Sequence, residues 1–335
     1  MKARLISAAL VLLLCLSMLA ACGAEAPKTV EERMLEATEL YNGSNGAAPD
    51  YAKAMELFRA LADEGNSEAA GWVALMYENG QGVEQDYDAA VEWYTKVGDT
   101  AAVERISDTM LSTGISYANG DGVEWSLETA FEWFKKSAEL GNANAMKNVA
   151  LMYEYGDGVA QDYGAAMKWF LKAVDTGDAN AMNHVGALYY FGDGVDQSFE
   201  KAVEWFTKAA DAGDAEAMSN LGEMYKYGDG VEQNYEAAME WLLKAADAGN
   251  AQAMTSIGKM YELGNGVDQN FETAMEWYLK ASGLGDAGAM NAIGVMYYLG
   301  AIEKDMGLAK EWLQKAADLG NEQAANALAN LGFFE

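Results

Sequence analysis

Apolar and polar positions along this chain follow a helical rhythm that keeps returning. Residues 217–251, AMSNLGEMYKYGDGVEQNYEAAMEWLLKAADAGNA, contain the whole design. The first half places Met218, Leu221 and Tyr225 at spacings of three and four. The second half places Tyr235, Ala238, Trp241, Leu242 and Ala245 on one stripe. Both are amphipathic helical patterns with polar residues between the apolar ones. Gly228-Asp229-Gly230 separates them, and Ala248-Gly249-Asn250 closes the unit. The pattern predicts a helix A, a turn, a helix B and a tight turn.

Turn and cap chemistry agrees with this reading. Asp214, Asn250 and Asp286 each follow a glycine and precede Ala-x-Ala, as helix N-caps do. Gly213, Gly249 and Gly285 stand where the preceding helix needs a positive φ. Glu204/Lys208, Glu240/Lys244 and Glu276/Lys280 are i,i+4 pairs in the favourable order. Gly222, Gly258 and Gly294 fall inside helix A, where a glycine costs about 1 kcal/mol against alanine. Close helix packing is predicted to offset that cost.

The unit recurs. G-x-G-V begins at Gly80, Gly120, Gly156, Gly192, Gly228 and Gly264, with a worn copy at Gly300. After a first step of 40 residues every step is 36. Trp93, Trp133, Trp169, Trp205, Trp241, Trp277 and Trp312 follow in phase. A period of this length is a solenoid signature, and a single copy cannot bury its apolar face alone. The tryptophan and methionine columns are therefore predicted to be core shared between neighbours. The consensus AMxxIGxMYxxGxGVxQxYxxAxEWYxKAA resembles the Sel-1-like repeat, an αα-hairpin relative of the tetratricopeptide repeat, over roughly residues 50–335. The resemblance implies an all-α, right-handed α-solenoid (a superhelix) whose A helices line a concave face. It also implies a non-enzymatic role in assembling other proteins.

Residues 29–335 are assigned to the solenoid, with about seven to eight helix pairs. Residues 29–42 read as a worn helix A. Residues 321–335 read as a terminal helix A whose end Phe333 and Phe334 cover. The pattern breaks at 99–127, where four extra residues enter before Gly120, Trp125 replaces glutamine and Leu127 replaces an aromatic residue. A bend there would present Trp125 as a partner anchor.

The N-terminus carries different information. Lys2 and Arg4 precede an apolar stretch from Ala8 to Leu19, too short to span a bilayer. The stretch ends Leu19-Ala20-Ala21-Cys22, which resembles a bacterial lipobox. The resemblance implies a signal peptide over 1–21, cleavage before Cys22, acylation of its thiol and a lipidated tether over 22–28. The expected product is an exported lipoprotein on the extracytoplasmic side of a membrane, held by its lipid alone. Loss of Lys2 and Arg4 takes the formal net charge from −30 to −32.

That charge excludes nucleic-acid binding, which needs a basic footprint. It favours basic partners and steers them electrostatically. Cys15 and Cys22 are the sole cysteines and His184 the sole histidine, so neither a disulfide framework nor a histidine metal cluster is expected. No cofactor is implied. The G-D-G-V loops join helix to helix, so they are not the strand-to-helix loops of dinucleotide sites.

Candidate binding residues are those that vary between copies while their neighbours repeat. After the Ala-Met pair they are Asn148, His184, Asn220, Ser256 and Asn291. Near the end of helix A they are Glu154, Tyr190, Lys226, Glu262 and Tyr298. Variation among copies predicts exposure on the concave face. The leading functional expectation is a scaffold binding a protein or peptide along that face. Two alternatives use the same chain: a cell-wall module binding glycan or peptidoglycan peptides, and an envelope hydrolase.

Overall fold

The computed structural model describes residues 27–44 and 46–330, so the signal segment, Cys22, Phe333 and Phe334 lie outside the described residues. Among the described residues there are seventeen α-helices and no strand. The A helices are α1 (Val30–Asn42), α3 (Ser67–Asn79), α5 (Thr100–Asn119), α7 (Ala143–Tyr155), α9 (Ala179–Phe191), α11 (Ala215–Tyr227), α13 (Ala251–Leu263), α15 (Ala287–Leu299) and α17 (Glu322–Asn330). The B helices are α2 (Tyr51–Asp63), α4 (Tyr87–Val97), α6 (Leu127–Glu139), α8 (Tyr163–Val174), α10 (Phe199–Asp211), α12 (Tyr235–Asp247), α14 (Phe271–Gly283) and α16 (Met306–Asp318). The chain divides into two compact units, one ending at Thr109 and one beginning at Met110. No described helix is long and apolar enough to cross a membrane.

The helices start and stop where the caps predict. Asn142, Asp178, Asp214, Asn250 and Asp286 each accept a hydrogen bond from the third following amide. This satisfies one orphan donor of each A helix. The same helices end on glycines with φ between 74 and 82°. The second loop glycine has another task. A Cβ on Gly230 would lie 2.5 Å from the Phe199 carbonyl carbon, so only glycine lets this loop rest on the start of α10 in the preceding repeat.

A further tie, not expected from the pattern, closes five of the loops. The side-chain amides of Gln85, Gln161, Gln197, Gln233 and Gln269 donate at 2.8 Å to the carbonyls of Glu78, Glu154, Tyr190, Lys226 and Glu262. Each satisfies one of the free carbonyls at a helix C-terminus. Trp125 occupies this position after α5 and cannot make the bond. The four extra residues near 99–127, together with an early start after the 11-residue α4, give α5 20 residues, against 13 in the A helices α7 to α15.

Core clusters form between a B helix and the A helix that follows it. In one, Ala202, Phe206 and Ala209 of α10 meet Ala217, Leu221 and Met224 of α11. Trp241 of α12 packs against that cluster from the next repeat, and Trp205 and Trp277 do the same for their neighbours. The tryptophans are thus shared between repeats and half-buried rather than sealed. Gly222 allows this packing, since a Cβ there would meet Leu242 Cγ at 2.6 Å. The lysines behave differently from the expectation. Lys208, Lys244 and Lys280 lie 4.0 Å over Trp205, Trp241 and Trp277, instead of pairing with Glu204, Glu240 and Glu276. A cation over an indole is worth about 0.5–1 kcal/mol, more than the few tenths of an exposed helical ion pair.

Candidate functional site

Within the second unit, A helices of successive repeats pack beside one another, α11 on α13 and α13 on α15. A cavity of about 400 Å³ opens among α7, α9 and α11, lined also by Phe206 of α10 and Gln252 of α13. Four of the predicted residues converge on it: Glu154, His184, Tyr190 and Asn220. Each sits on a helix that Val149, Val185 or Leu221 anchors in the core.

The polar groups are ordered by one another. His184 stacks on Phe170 with centroids 4.7 Å apart and planes 5° apart. Its Nδ1 is 3.1 Å from Glu154 Oε2. That oxygen is buried and has no other donor, so a hydrogen bond forms there only when Nδ1 carries the proton. Asn220 Nδ2 donates to Asn183 Oδ1 at 3.0 Å. The Tyr190 hydroxyl donates to Asp229 at 3.2 Å.

The field in the cavity is negative. Glu154, Glu216 and Glu223 all line it. Glu223 Oε1 is buried without a hydrogen-bond partner. Burial first, and then Asp229 and Glu223, push the Tyr190 hydroxyl above its ordinary pKa. Burial first, and then Glu154 and Glu216, do the same to Tyr155. The wall combines carboxylate acceptors with the aromatic faces of Tyr155, Tyr190 and Phe191. Such a wall suits a cationic group with an apolar stem, because both the charge and the methylenes find partners. His184, with its ring on Phe170 and Nδ1 at Glu154, organises the wall.

The remaining predicted residues do other work. Lys226 corrects the expectation of exposure. It is only 5% exposed, with its ammonium on Glu223 and over the Tyr227 ring. A variable column is therefore not an exposed one here, because each copy finds its own partner. Glu262 accepts a hydrogen bond from the buried Tyr278 hydroxyl. Burial and that carboxylate together hold the phenol far above its ordinary pKa. Asn148 lines a different cavity, between α5, α6 and α7. Asn291 Oδ1 is buried and unpartnered, while Ser256 and Tyr298 are half-buried outside the cavity. Trp125 is 60% exposed, as an anchor needs to be.

One column escaped the sequence reading. Tyr155, Phe191, Tyr227, Leu263 and Leu299 are large, apolar and exposed. Each stands directly before the first loop glycine, out of phase with the core stripe, and that position is the signal. Among the described residues, no group of three or more His, Cys, Asp or Glu is placed to hold a metal ion.

A Sel1 repeat protein from Oxalobacter formigenes is 28% identical with a TM-score of 0.60, over 90% of this chain and 86% of that one. A protective antigen of uropathogenic Escherichia coli strains, which displays an SLR fold, is 29% identical with a TM-score of 0.55. That match covers 91% of this chain and 65% of the antigen, so this chain spans just under two thirds of the antigen's length. No curated protein matches the chain. The Sel1 repeat model matches at residues 37–66, 67–96, 107–142, 143–178, 179–214, 215–250, 251–286 and 287–321, and with eight matches along most of its length this chain belongs to the Sel1 repeat family.

Proposed function

We propose that this chain is a lipid-anchored extracytoplasmic scaffold that binds a basic segment of a partner protein in the cavity of α7, α9 and α11. Sel1 repeat proteins generally mediate protein–protein interaction, which supplies the class of activity. The observation that carries the finer reading is the cavity wall. Three carboxylates stand beside Tyr155, Tyr190 and Phe191; Glu223 has one oxygen on Lys226 and the other buried and unpartnered. A lysine or arginine side chain answers both features, and the net charge of −30 attracts it from a distance. The anchor rests on Leu19-Ala20-Ala21-Cys22 behind its charged and apolar leader. Two chains on one residue hold a protein stably at a membrane surface.

The binding test uses two fluorescein-labelled dodecapeptides, one alternating lysine with leucine and tyrosine, the other with glutamate in place of lysine. The full chain should bind the first, lose it as salt is raised, and bind it more weakly after Glu154→Gln or Glu216→Gln. Equal affinity for the two peptides would refute the reading. The anchor is checked by metabolic labelling with an alkynyl palmitate. Cys22→Ala should abolish the label and release the chain from membranes; a label that persists would refute the anchor.

A further inference from the structure

The second cavity is built by the repeat that departs from the pattern. It has a volume of about 230 Å³ and is lined by Ile115, Ala118, Leu127, Phe134, Leu151 and Met152, with Asn119, Asn148 and Asp157 at its edge. Its origin is visible in the columns. Where α5 has Ala118, the sister helices carry Glu78, Glu154, Tyr190, Lys226, Glu262 and Tyr298. Where α6 begins with Leu127, α2, α4, α8, α10, α12 and α14 begin with tyrosine or phenylalanine. Two large side chains have been exchanged for smaller apolar ones, and the space they left is open. Two residues before Leu127, Trp125 has replaced the glutamine that ties down this loop in five other repeats. It stands 60% exposed. Val123 and Ile115 are exposed beside it in sequence and on the cavity wall, respectively.

Repeat decay would scatter such changes. Here they fall on one spot, and helix α7 is the wall between that spot and the acidic cavity. It gives Asn148, Leu151 and Met152 to the apolar side, and Glu154 and Tyr155 to the acidic side. We infer that the α5–α6–α7 cavity is a second subsite, which takes a leucine-, methionine- or phenylalanine-sized side chain of the same partner segment whose basic residue enters the acidic cavity. The inference rests on the proposed binding function and adds to it a two-point code. Neighbouring helices lie about 8–10 Å apart and extended chain advances about 3.3 Å per residue, so the two anchors are about three residues apart. Apolar burial in the first subsite supplies affinity, and the carboxylates of the second supply charge selection.

The test pans a random linear dodecapeptide library against the full chain, displayed through a C-terminal tag in mild detergent. Enriched peptides are then resynthesised and titrated by fluorescence anisotropy. Two variants restore what the sister repeats carry, Ala118→Glu and Leu127→Tyr, so folding is retained and is checked by circular dichroism. Enriched peptides should pair one large apolar residue with one lysine or arginine about three positions away. Ala118→Glu should weaken them at least tenfold. Replacing the peptide's apolar residue by alanine should cost as much on the unmodified chain and little on Ala118→Glu. Glu216→Gln, at an exposed carboxylate of the acidic cavity, should erase the basic preference and leave the apolar one. Basic peptides that bind Ala118→Glu as well as the unmodified chain would overturn the subsite and leave the proposed function standing. Apolar selection that Ala118→Glu removes, without any basic preference, would uphold the subsite and overturn the acidic groove. Enrichment of no peptide would overturn both.

Discussion

Gly222 sits in α11 between Asn220 and Glu223, two residues of the acidic cavity, so a change there tests packing and site together. In Gly222→Ala the new Cβ would stand 2.6 Å from Leu242 Cγ, 2.7 Å from Leu242 Cδ2 and 3.3 Å from the Ala238 carbonyl oxygen. Carbon atoms prefer about 3.5–4.0 Å, so α11 and α12 must separate by about 1 Å, or Leu242 must leave its rotamer. Leu242 is fully buried and has nowhere to go. Overpacking of this kind costs about 1–3 kcal/mol, while alanine in place of glycine returns about 1 kcal/mol of helix propensity. The expected net effect is a loss of about 1 kcal/mol. The reverse exchange, Ala150→Gly at the equivalent and fully buried position of α7, loses the propensity and opens a small void, so it should also destabilise by about 1–2 kcal/mol. Repeat arrays do not always unfold in one step, so the readout is hydrogen exchange of peptides from α11 and α12. In a Leu242→Ala background the clash disappears, and Gly222→Ala should then stabilise by about 1 kcal/mol. If Gly222→Ala stabilises the unmodified chain, glycine is not there to admit α12 and the packing argument fails.

Three further outcomes follow from particular contacts. Tyr94, whose hydroxyl donates to Glu78 at 2.9 Å, is pushed up to about 12 by burial first and by Glu78 second, from an ordinary value of 10.0. Its share of stability is fully present below pH 10 and is lost as pH rises toward about 12, so the melting temperature should fall more steeply across that window in the unmodified chain than in Tyr94→Phe. Parallel falls would refute the assignment. Lys226→Met strips Glu223 of its cation and should cost on the order of 3 kcal/mol in urea unfolding, most of it recovered in Lys226→Met with Glu223→Leu; a neutral single variant would sink this account. Gln161→Ala removes the bond to the Glu154 carbonyl and should cost about 1 kcal/mol, read as faster amide exchange at the end of α7. Exchange unchanged by that substitution would show that the clamp is idle.

The helices were legible because their punctuation is chemical and local. Asp214 and Gly213 announce a cap whatever surrounds them, and the observed N-cap bond falls on Asp214. The shared tryptophans were legible from phase alone. What the sequence hid depends on which partner wins when two are within reach. Lys208 had Glu204 one turn away and Trp205 beside it, and the indole prevails by a fraction of a kcal/mol. Lys226 looked like solvated surface because its column varies, yet Glu223 three residues earlier lets it be buried. Glu262 looked like a recognition residue, yet the Tyr278 phenol across the hairpin needed an acceptor. Four of the ten residues proposed for the concave face meet in one cavity, and their acidic companions Glu216 and Glu223 became visible only when α11 was placed beside α9.

The way each core closes has a consequence for how this chain can change over generations. A cluster is finished by one B helix, the A helices before and after it and a tryptophan from the next repeat, and the glutamine clamp is satisfied wholly inside its own hairpin. Unequal recombination that adds or removes 36 residues in frame therefore leaves every remaining core complete and every clamp bonded. A globular enzyme that gained or lost as much chain would have to rebuild its interior. Here duplication lengthens the row of A helices by one, copying Glu, Tyr or Lys positions that are afterwards free to diverge. The exchanges at Ala118, Trp125 and Leu127 are then what such divergence leaves behind: one duplicated tooth filed to a new shape while its neighbours keep the old one.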